Sequence, residues 1–263
     1  MLRSTIEFAE KYDVMVHGHL AESKSEYDFT MEQFGCSPVE WFRRNNLLGD
    51  RFYYAHCIHL DEQDIKVLAK TGTGVVSCPI SNMYLSSGSC QVRSMMDAGV
   101  ERIGLGVDGA ASSNSSNMME EMRVAYLLNR LTHEENACTS ENILYMATAG
   151  GAKALGRNDI GTLVPGKAAD LTLLDWSSLS YAGGRNDPAD CIVRSGDARM
   201  VDTVIVNGEI VVKKGRLLRI DEWQKSAYAD EISHELLQRA SKHFLALQEE
   251  IISSVQESTG GAL

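Results

Sequence analysis

The chain lacks the features that mark secreted, membrane and nucleic-acid-binding proteins. Its six cysteines include no CxxC pair, so we expect reduced thiols in a cytoplasmic protein rather than a disulfide framework. No apolar run is long enough for a membrane helix, and residues 1–13 are typical of an amphipathic helix, not of a signal peptide. Acidic residues outnumber basic ones by 36 to 25. That balance disfavours nucleic acid or an anionic membrane as a partner.

What the chain does have is the composition of a folded protein. Its 263 residues are 44% hydrophobic and 23% charged, which is ordinary for one large domain with a smaller appendage. Strand-like runs at 14–19, 51–57, 74–78 and 102–108 alternate with helical segments. One of these segments is a predicted helix for which Asp61 is a suitable N-cap and Gly72 a suitable C-terminal end. The alternation predicts a parallel sheet in an α/β fold.

The pattern changes after residue 157. Residues 158–218 predict a small antiparallel β unit, with two strands around a turn at Pro165-Gly166 and a hairpin at Asn207-Gly208. Residues 221–257 predict an amphipathic helix. Its apolar face would carry Ile232, Leu236, Ala240, Phe244, Leu247 and Ile251. The last residues, 258–263, predict a frayed end.

Four polar residues follow the predicted strands. His19, His56 and Asp108 each stand at the carboxyl end of a strand, and Glu22 lies in the loop after the first one. Active sites of (β/α) barrels are built at that edge. Imidazole and carboxylate groups suit zinc or iron, and a nearby glutamate can move protons from a metal-activated water.

Each of these residues also has a simpler interpretation. A single histidine at a strand end is usually a satisfied polar residue, and Asp108-Gly109 alone would be a turn. We expect Cys57 and Cys78 to pack rather than react, and residues 111–117 to cap the following helix. The remaining histidines without predicted partners are expected at the surface, namely His133, His234 and His243.

Several stretches together resemble the aminohydrolase branch of the amidohydrolase superfamily. "HGHLAES", "AHCIHL", "SCPISNMYLSSG" and "GLGVDGAASSNSSNMMEEMR" resemble its fifth- to eighth-strand motifs in order and spacing. "GTLVPGKAADLTLLD" and "VDTVIVNGEIVVKKGRL" resemble its composite β-sandwich. The similarity covers residues 12–220 and is greatest to 8-oxoguanine deaminases and hydroxyatrazine aminohydrolases, with chlorohydrolases in the same branch. Ser77 departs from the pattern, since relatives often carry histidine there.

The resemblance implies a fold and its divisions. The chain would be the C-terminal half of a (β/α)8 barrel, strands 5–8, followed by part of a β-sandwich and a C-terminal helix. The corresponding segments are 1–157, 158–218 and 219–263.

The resemblance also implies roles for the site residues. His19 and Asp108 would bind Zn²⁺, with Fe²⁺ as the alternative, and Asp108 would take a proton from water. Glu22 would shuttle protons, and His56 would hold the attacking water or the substrate ring. Residues 80–86 and 111–117 would lie over the substrate. The substrate would be a small purine-, pterin- or triazine-like ring, hydrolysed at a C–N bond that is not a peptide bond.

Such enzymes also have a first strand ending in an HxH pair, and this chain has no counterpart to it. Two of the four expected ligands are present, so we expect weak metal binding and impaired activity for the chain alone. A truncated gene is the favoured explanation; a separate chain supplying strands 1–4, a homo-oligomer and a non-catalytic remnant or binding domain stay open. Dechlorination of a triazine is the alternative reaction.

Overall fold

Four short strands form a single parallel sheet. The computed structural model describes residues 2–259, apart from the side chains of residues 2, 3, 134, 243 and 245–259. The strands are adjacent in chain order: β1 (Val16–Leu20), β2 (Phe52–His56), β3 (Gly74–Ser77) and β4 (Ile103–Leu105). All three pairings are parallel. The predicted α/β fold with a parallel sheet is confirmed.

Helices separate and follow these strands. In chain order they are α1 (Leu2–Tyr12), α2 (Lys24–Phe34), α3 (Pro38–Arg44), α4 (Glu62–Thr71), α5 (Pro79–Tyr84), α6 (Val92–Asp97), α7 (Ala110–Ser113), α8 (Met118–His133), α9 (Ser140–Tyr145), a π-helical segment Met146–Gly150, and α10 (Gly151–Ala154). Asp61 caps α4 in a capping box with Asp64, and Gly72 ends it with φ of 71°. Both helix signals predicted for α4 are therefore confirmed.

The main core lies between one face of the parallel sheet and the helices. Because strand side chains alternate between faces, Leu20, Tyr54, Val75 and Ile103 point into this core. Leu68 of α4 is fully buried against them. The intervening residues of the strands, which include the two histidines of β1, face the opposite side and line an open cavity.

The π-helical segment covers the edge of β4 that does not pair with β3. The approach is close because glycines lie on both elements. A Cβ atom on Gly150 would stand 2.2 Å from the carbonyl oxygen of Ile103, and a Cβ on Gly104 would stand 3.0 Å from the Cα of Gly151. The contact therefore requires residues without side chains at these positions.

A second sheet of four antiparallel strands follows. Its strands are β5 (Leu171–Leu174), β6 (Val201–Val206), β7 (Glu209–Lys213) and β8 (Arg216–Leu217). Asn207 and Gly208 both have positive φ, 48° and 82°, as a type I′ hairpin turn requires. The predicted hairpin is confirmed.

Two details of this region differ from the sequence prediction. Residues 160–164 form no strand before the Pro165-Gly166 turn, and Leu163 and Val164 are exposed there, without a neighbouring strand to pair with. The region also contains a helix, α11 (Pro188–Ser195), which begins at the cap Asp187. Val193 of α11 is buried in the main core, so residues 158–218 are not purely a β unit.

The long C-terminal helix α12 (Glu222–Thr259) confirms the predicted helix at 221–257. The side chain of Asp221 accepts a hydrogen bond from the backbone N–H of Gln224 at 3.1 Å. Every side chain of α12 that the structure describes is exposed. The side chains of His243, Leu247 and Ile251 and the residues 260–263 lie outside the description. Among the helices described, none is long and apolar enough to cross a membrane.

Candidate active site

The parallel sheet brings the predicted polar residues to one edge. His19 is in β1, His56 ends β2, Glu22 follows β1 and Asp108 follows β4. His19 and Asp108 line the same open cavity of about 270 Å³, whose wall also includes Tyr53 of β2 and Cys78. The parallel pairing thus places these strand ends around a common space, as expected at the carboxyl edge of such a sheet.

His56 is the buried centre of the group, with a side chain only 1% exposed. Its Nδ1 lies 2.7 Å from Oδ1 of Asn82. Because an amide oxygen only accepts hydrogen bonds, Nδ1 carries the proton in neutral His56 and Nε2 presents its lone pair. Nε2 lies 3.7 Å from Oε2 of Glu22. The ring stacks on that of His19, with centroids 5.2 Å apart.

The backbone around Glu22 is fixed by side-chain hydrogen bonds. The carboxylate of Glu26 accepts the N–H groups of Ala21 and Glu22, each at 2.9 Å. Ser23 caps α2 by accepting the N–H of Glu26 at 3.2 Å. These contacts fix the junction between β1 and α2, and the side chain of Glu22 remains partly exposed toward His56.

Asp108 is exposed and surrounded by donors. Its Oδ2 accepts hydrogen bonds from the hydroxyls of Ser81 at 2.5 Å and Ser112 at 3.0 Å. Partial burial tends to raise the pKa of Asp108, but the hydrogen bonds from Ser81, the backbone of Gly109 and Ser112 outweigh it. The pKa of Asp108 is therefore below its ordinary value, and the carboxylate is ionised at neutral pH.

The backbone is strained where the strands end. Ala21, His56, Cys57 and Asp108 all have positive φ, between 48° and 73°. Such conformations are unfavourable for residues other than glycine and gather at functional sites. Cys57 donates its N–H to Leu20 and the next two residues donate theirs to Ala21. The strained turns after β1 and β2 therefore support one another.

The donors present fit only part of a zinc site. An imidazole and an ionised carboxylate are suitable ligands, but a catalytic zinc takes three from the protein. Within the part of the chain that the structure describes, no group of three or more His, Cys, Asp or Glu side chains is arranged to hold a metal ion. His19 and Asp108 as metal ligands therefore stay a prediction.

The roles of the residues that orient the site were not predicted from the sequence. Asn82 holds His56, Ser81 and Ser112 hold Asp108, and Glu26 holds the loop of Glu22. Ser81, Asn82 and Ser112 lie within the stretches 80–86 and 111–117 expected over the substrate, but nothing in the sequence indicated which residues they would bond. The hydrogen bonds of Asn82 and Ser81 span 26 and 27 positions, and contacts of that range have no local sequence pattern.

The simpler interpretations of other residues agree with the structure. Cys57 and Cys78 are buried, and this burial raises the pKa of both thiols, that of Cys78 to about 12. They are therefore poor nucleophiles. Asn117 caps α8 by accepting the N–H of Met119 at 3.0 Å, as expected for residues 111–117. His234 is exposed as predicted, whereas His133 is partly buried, with its Nδ1 2.8 Å from the hydroxyl oxygen of Thr132.

Known proteins provide an independent comparison. The chain is 40% identical over 239 residues to the 5-methylthioadenosine/S-adenosylhomocysteine deaminase of Desulforudis audaxviator, covering 90% of this chain and 55% of that one. It is 41% identical over 221 residues to the 8-oxoguanine deaminase of Pseudomonas aeruginosa, covering 84% and 49%. The chain therefore spans about half the length of the curated relatives it matches.

A solved structure is also similar to this chain. The crystal structure of an adenosine deaminase from Xanthomonas campestris with bound zinc superimposes with a TM-score of 0.86 at 30% identity, covering 90% of this chain and 54% of that one. The two sheets described above thus match part of that fold. The Amidohydrolase family pattern matches residues 1–211. The motifs, the fold and these similarities agree, and the chain belongs to the amidohydrolase family.

Proposed function

We propose that this chain forms strands 5–8 of the (β/α)8 barrel of a metal-dependent deaminase that acts on a purine-like ring. The observation that carries the proposal is the pair formed by Glu22 and His56, 3.7 Å apart, beside a cavity that His19 and Asp108 line. The relatives named above are deaminases of nucleosides or of a purine base by their names. Their shared substrate chemistry supports a purine-like ring.

The chain's own residues would divide the work of hydrolysis. Glu22 is partly exposed beside the lone pair of His56, so it can carry a proton between the attacking water and the leaving amine. His56, oriented by Asn82, presents Nε2 as a hydrogen-bond acceptor for water or for a ring N–H. Asp108 is ionised and can accept the proton of water. Ammonia or an amine would leave as the C–N bond breaks.

Zinc would be held in part by His19 and Asp108, with iron as the alternative metal. A bound zinc ion supplies Lewis acidity and lowers the pKa of water toward neutrality. The remaining ligands are not among the described residues. We therefore expect the chain alone to bind metal weakly and to turn over slowly.

The outer edge of β1 supports the idea that further strands extend the sheet there, whereas the outer edge of β4 is covered by the π-helical segment. Within the described residues, β1 pairs only with β2 and β4 pairs only with β3. The backbone groups at the outer edge of β1 are available for a further strand. A longer form of this chain, a separate chain with strands 1–4, or a second copy would each provide strands there.

The test compares the chain alone with a form extended by the reading frame upstream of its first codon. Both are purified with zinc, metal content is measured, and ammonia release is followed with 5′-methylthioadenosine, S-adenosylhomocysteine and 8-oxoguanine. We expect the extended form to hold zinc and release ammonia, and the chain alone to do neither efficiently. A matched Glu22→Gln variant of the extended form should lose ammonia release.

Other outcomes would contradict the proposal. A stop codon directly upstream and no separate chain that restores turnover would favour a non-catalytic remnant. Chloride release from a chlorinated triazine, without ammonia release from any purine, would favour the chlorohydrolase alternative. Zinc near one ion per chain with rapid turnover in the 263-residue form would show that the chain needs no further strands.

A further inference from the structure

Glu121 is a buried carboxylate that plays no part in the proposed chemistry. It lies in the first turn of α8 and its side chain is only 1% exposed. Oε2 accepts the backbone N–H of Ile80 at 3.1 Å. Oε1 is buried without a hydrogen-bond partner among the described residues. A buried carboxylate with an unused acceptor destabilises the fold, so its presence calls for another explanation.

The contact with Ile80 caps a helix that has no cap of its own. α5 begins at Pro79, which has no N–H, and its N-cap residue Cys78 makes no side-chain capping bond. The N–H of Ile80 is therefore the first free donor of the helix. A carboxylate at this point both accepts that donor and complements the positive end of the helix dipole.

The two residues after Ile80 are the ones that orient the site. Ser81 donates to Asp108, and Asn82 accepts from His56. Both lie in the first turn of α5, one and two positions past the residue that Glu121 binds. A shift of that turn would move both partners together.

We propose that Glu121 is a positioning residue of the active site, which holds the first turn of α5 so that Asn82 keeps His56 in the Nδ1–H form and Ser81 stays on Asp108. This inference deepens the proposed function and rests on it, since it concerns the same site. The hydrogen bond of Glu121 is to the backbone of α5, not to His56 or Asp108.

The experiment measures the tautomer of His56 directly. The metal-free 263-residue chain is labelled with ¹⁵N-histidine, and long-range proton–nitrogen correlation spectra are recorded at about pH 8, above the ordinary pKa of histidine. The His56 signals are assigned by their loss in His56→Asn. Thermal unfolding of each variant is measured in parallel.

Glu121→Met, Glu121→Gln and the matched control Glu120→Gln separate the possible roles. Glu120 is the exposed neighbour of Glu121 on α8. We expect Glu121→Met to lower the ratio of Nδ1–H to Nε2–H tautomer about fivefold, the effect of one hydrogen bond, with no loss of thermal stability. Glu121→Gln keeps an acceptor for Ile80 and should retain the wild-type tautomer, as should Glu120→Gln.

Two results would overturn the inference. One is a folded Glu121→Met variant whose His56 signals are unchanged, which would make Glu121 a structural residue only. The other is an altered His56 tautomer in Glu121→Gln, since the acceptor for Ile80 is still present. If Glu121→Met does not fold, Glu121→Ala, which removes the same acceptor, is measured in its place with the same expected change. Failure of ammonia release would contradict the proposed function but would leave these spectra informative.

Discussion

The Nε2 atom of His56 lies 3.7 Å from Oε2 of Glu22, and the two residues come from different strand ends. A buried imidazole held by Asn82 thus faces a partly exposed carboxylate. This arrangement suits a proton shuttle, because the group that must change its proton partner is the one that can reach solvent.

Replacing Glu22 by Gln should therefore remove turnover and leave the fold intact. In the extended, zinc-loaded form we expect kcat for ammonia release to fall about 10²- to 10⁴-fold, the usual contribution of general acid–base catalysis. The backbone contacts made by Glu26 do not involve the Glu22 side chain. Unfolding temperature should stay at the wild-type value.

Glu32→Gln is the control for this prediction, because Glu32 is an exposed acid in the following helix. It should leave both kcat and stability unchanged. Equal activity of Glu22→Gln and wild type would exclude Glu22 as the proton shuttle.

Replacing Glu26 by Ala should act through stability first. The carboxylate accepts two backbone N–H groups, and Ala21 beside it has a strained φ of 51°. Losing both charge-assisted bonds should lower the free energy of unfolding by about 2–3 kcal/mol. Urea denaturation measures the change, and Glu32→Ala on the same helix is the comparison. A loss no larger than that of Glu32→Ala would show that the junction is held by other contacts.

Some residues of the site could be predicted from the sequence and others could not. His19, His56 and Asp108 could be placed at one edge because each ends an apolar run and parallel strands align their ends. Asn82, Ser81 and Glu26 could not be assigned, because their partners lie four to 27 positions away and depend on how the loops fold back. Helix α11 was missed for a different reason. The helix does have local signals, since Asp187 is its N-cap and Pro188 its first residue, but the surrounding β-rich sequence favoured a β unit.

Replacing the helical Gly150 by alanine should destabilise the fold, although alanine has the higher helix propensity. Gly150 has ordinary helical φ and ψ of -65° and -44°, so alanine would normally stabilise the helix by about 1 kcal/mol. Its Cβ would instead stand 2.2 Å from the carbonyl oxygen of Ile103. We expect Gly150→Ala to lower the free energy of unfolding by about 1–3 kcal/mol, measured by urea denaturation.

Gly18→Ala is the comparison, since its Cβ would meet Tyr54 at an ordinary 3.5 Å. It should change the free energy of unfolding by less than about 1 kcal/mol. A more stable Gly150→Ala variant would mean that the π-helical segment does not lie on the edge of β4 in solution.

The buried Glu121 predicts how stability depends on pH. Burial raises its pKa from 4.5 to about 7, against the lowering effect of the Ile80 hydrogen bond. A carboxyl whose pKa is higher in the folded state stabilises the fold fully below 4.5, and that contribution is lost as the pH rises through 7. Wild type should therefore lose stability relative to Glu121→Gln across this window, by at most about 3 kcal/mol, with no further change at higher pH. Urea denaturation from about pH 4.5 to pH 8 measures the difference. Glu120→Gln removes a neighbouring charge that helps to raise the pKa of Glu121, so it should reduce the pH-dependent loss only in part. A difference between wild type and Glu121→Gln that does not vary with pH would mean that the carboxylate is hydrated, and that its burial against α5 does not hold in solution.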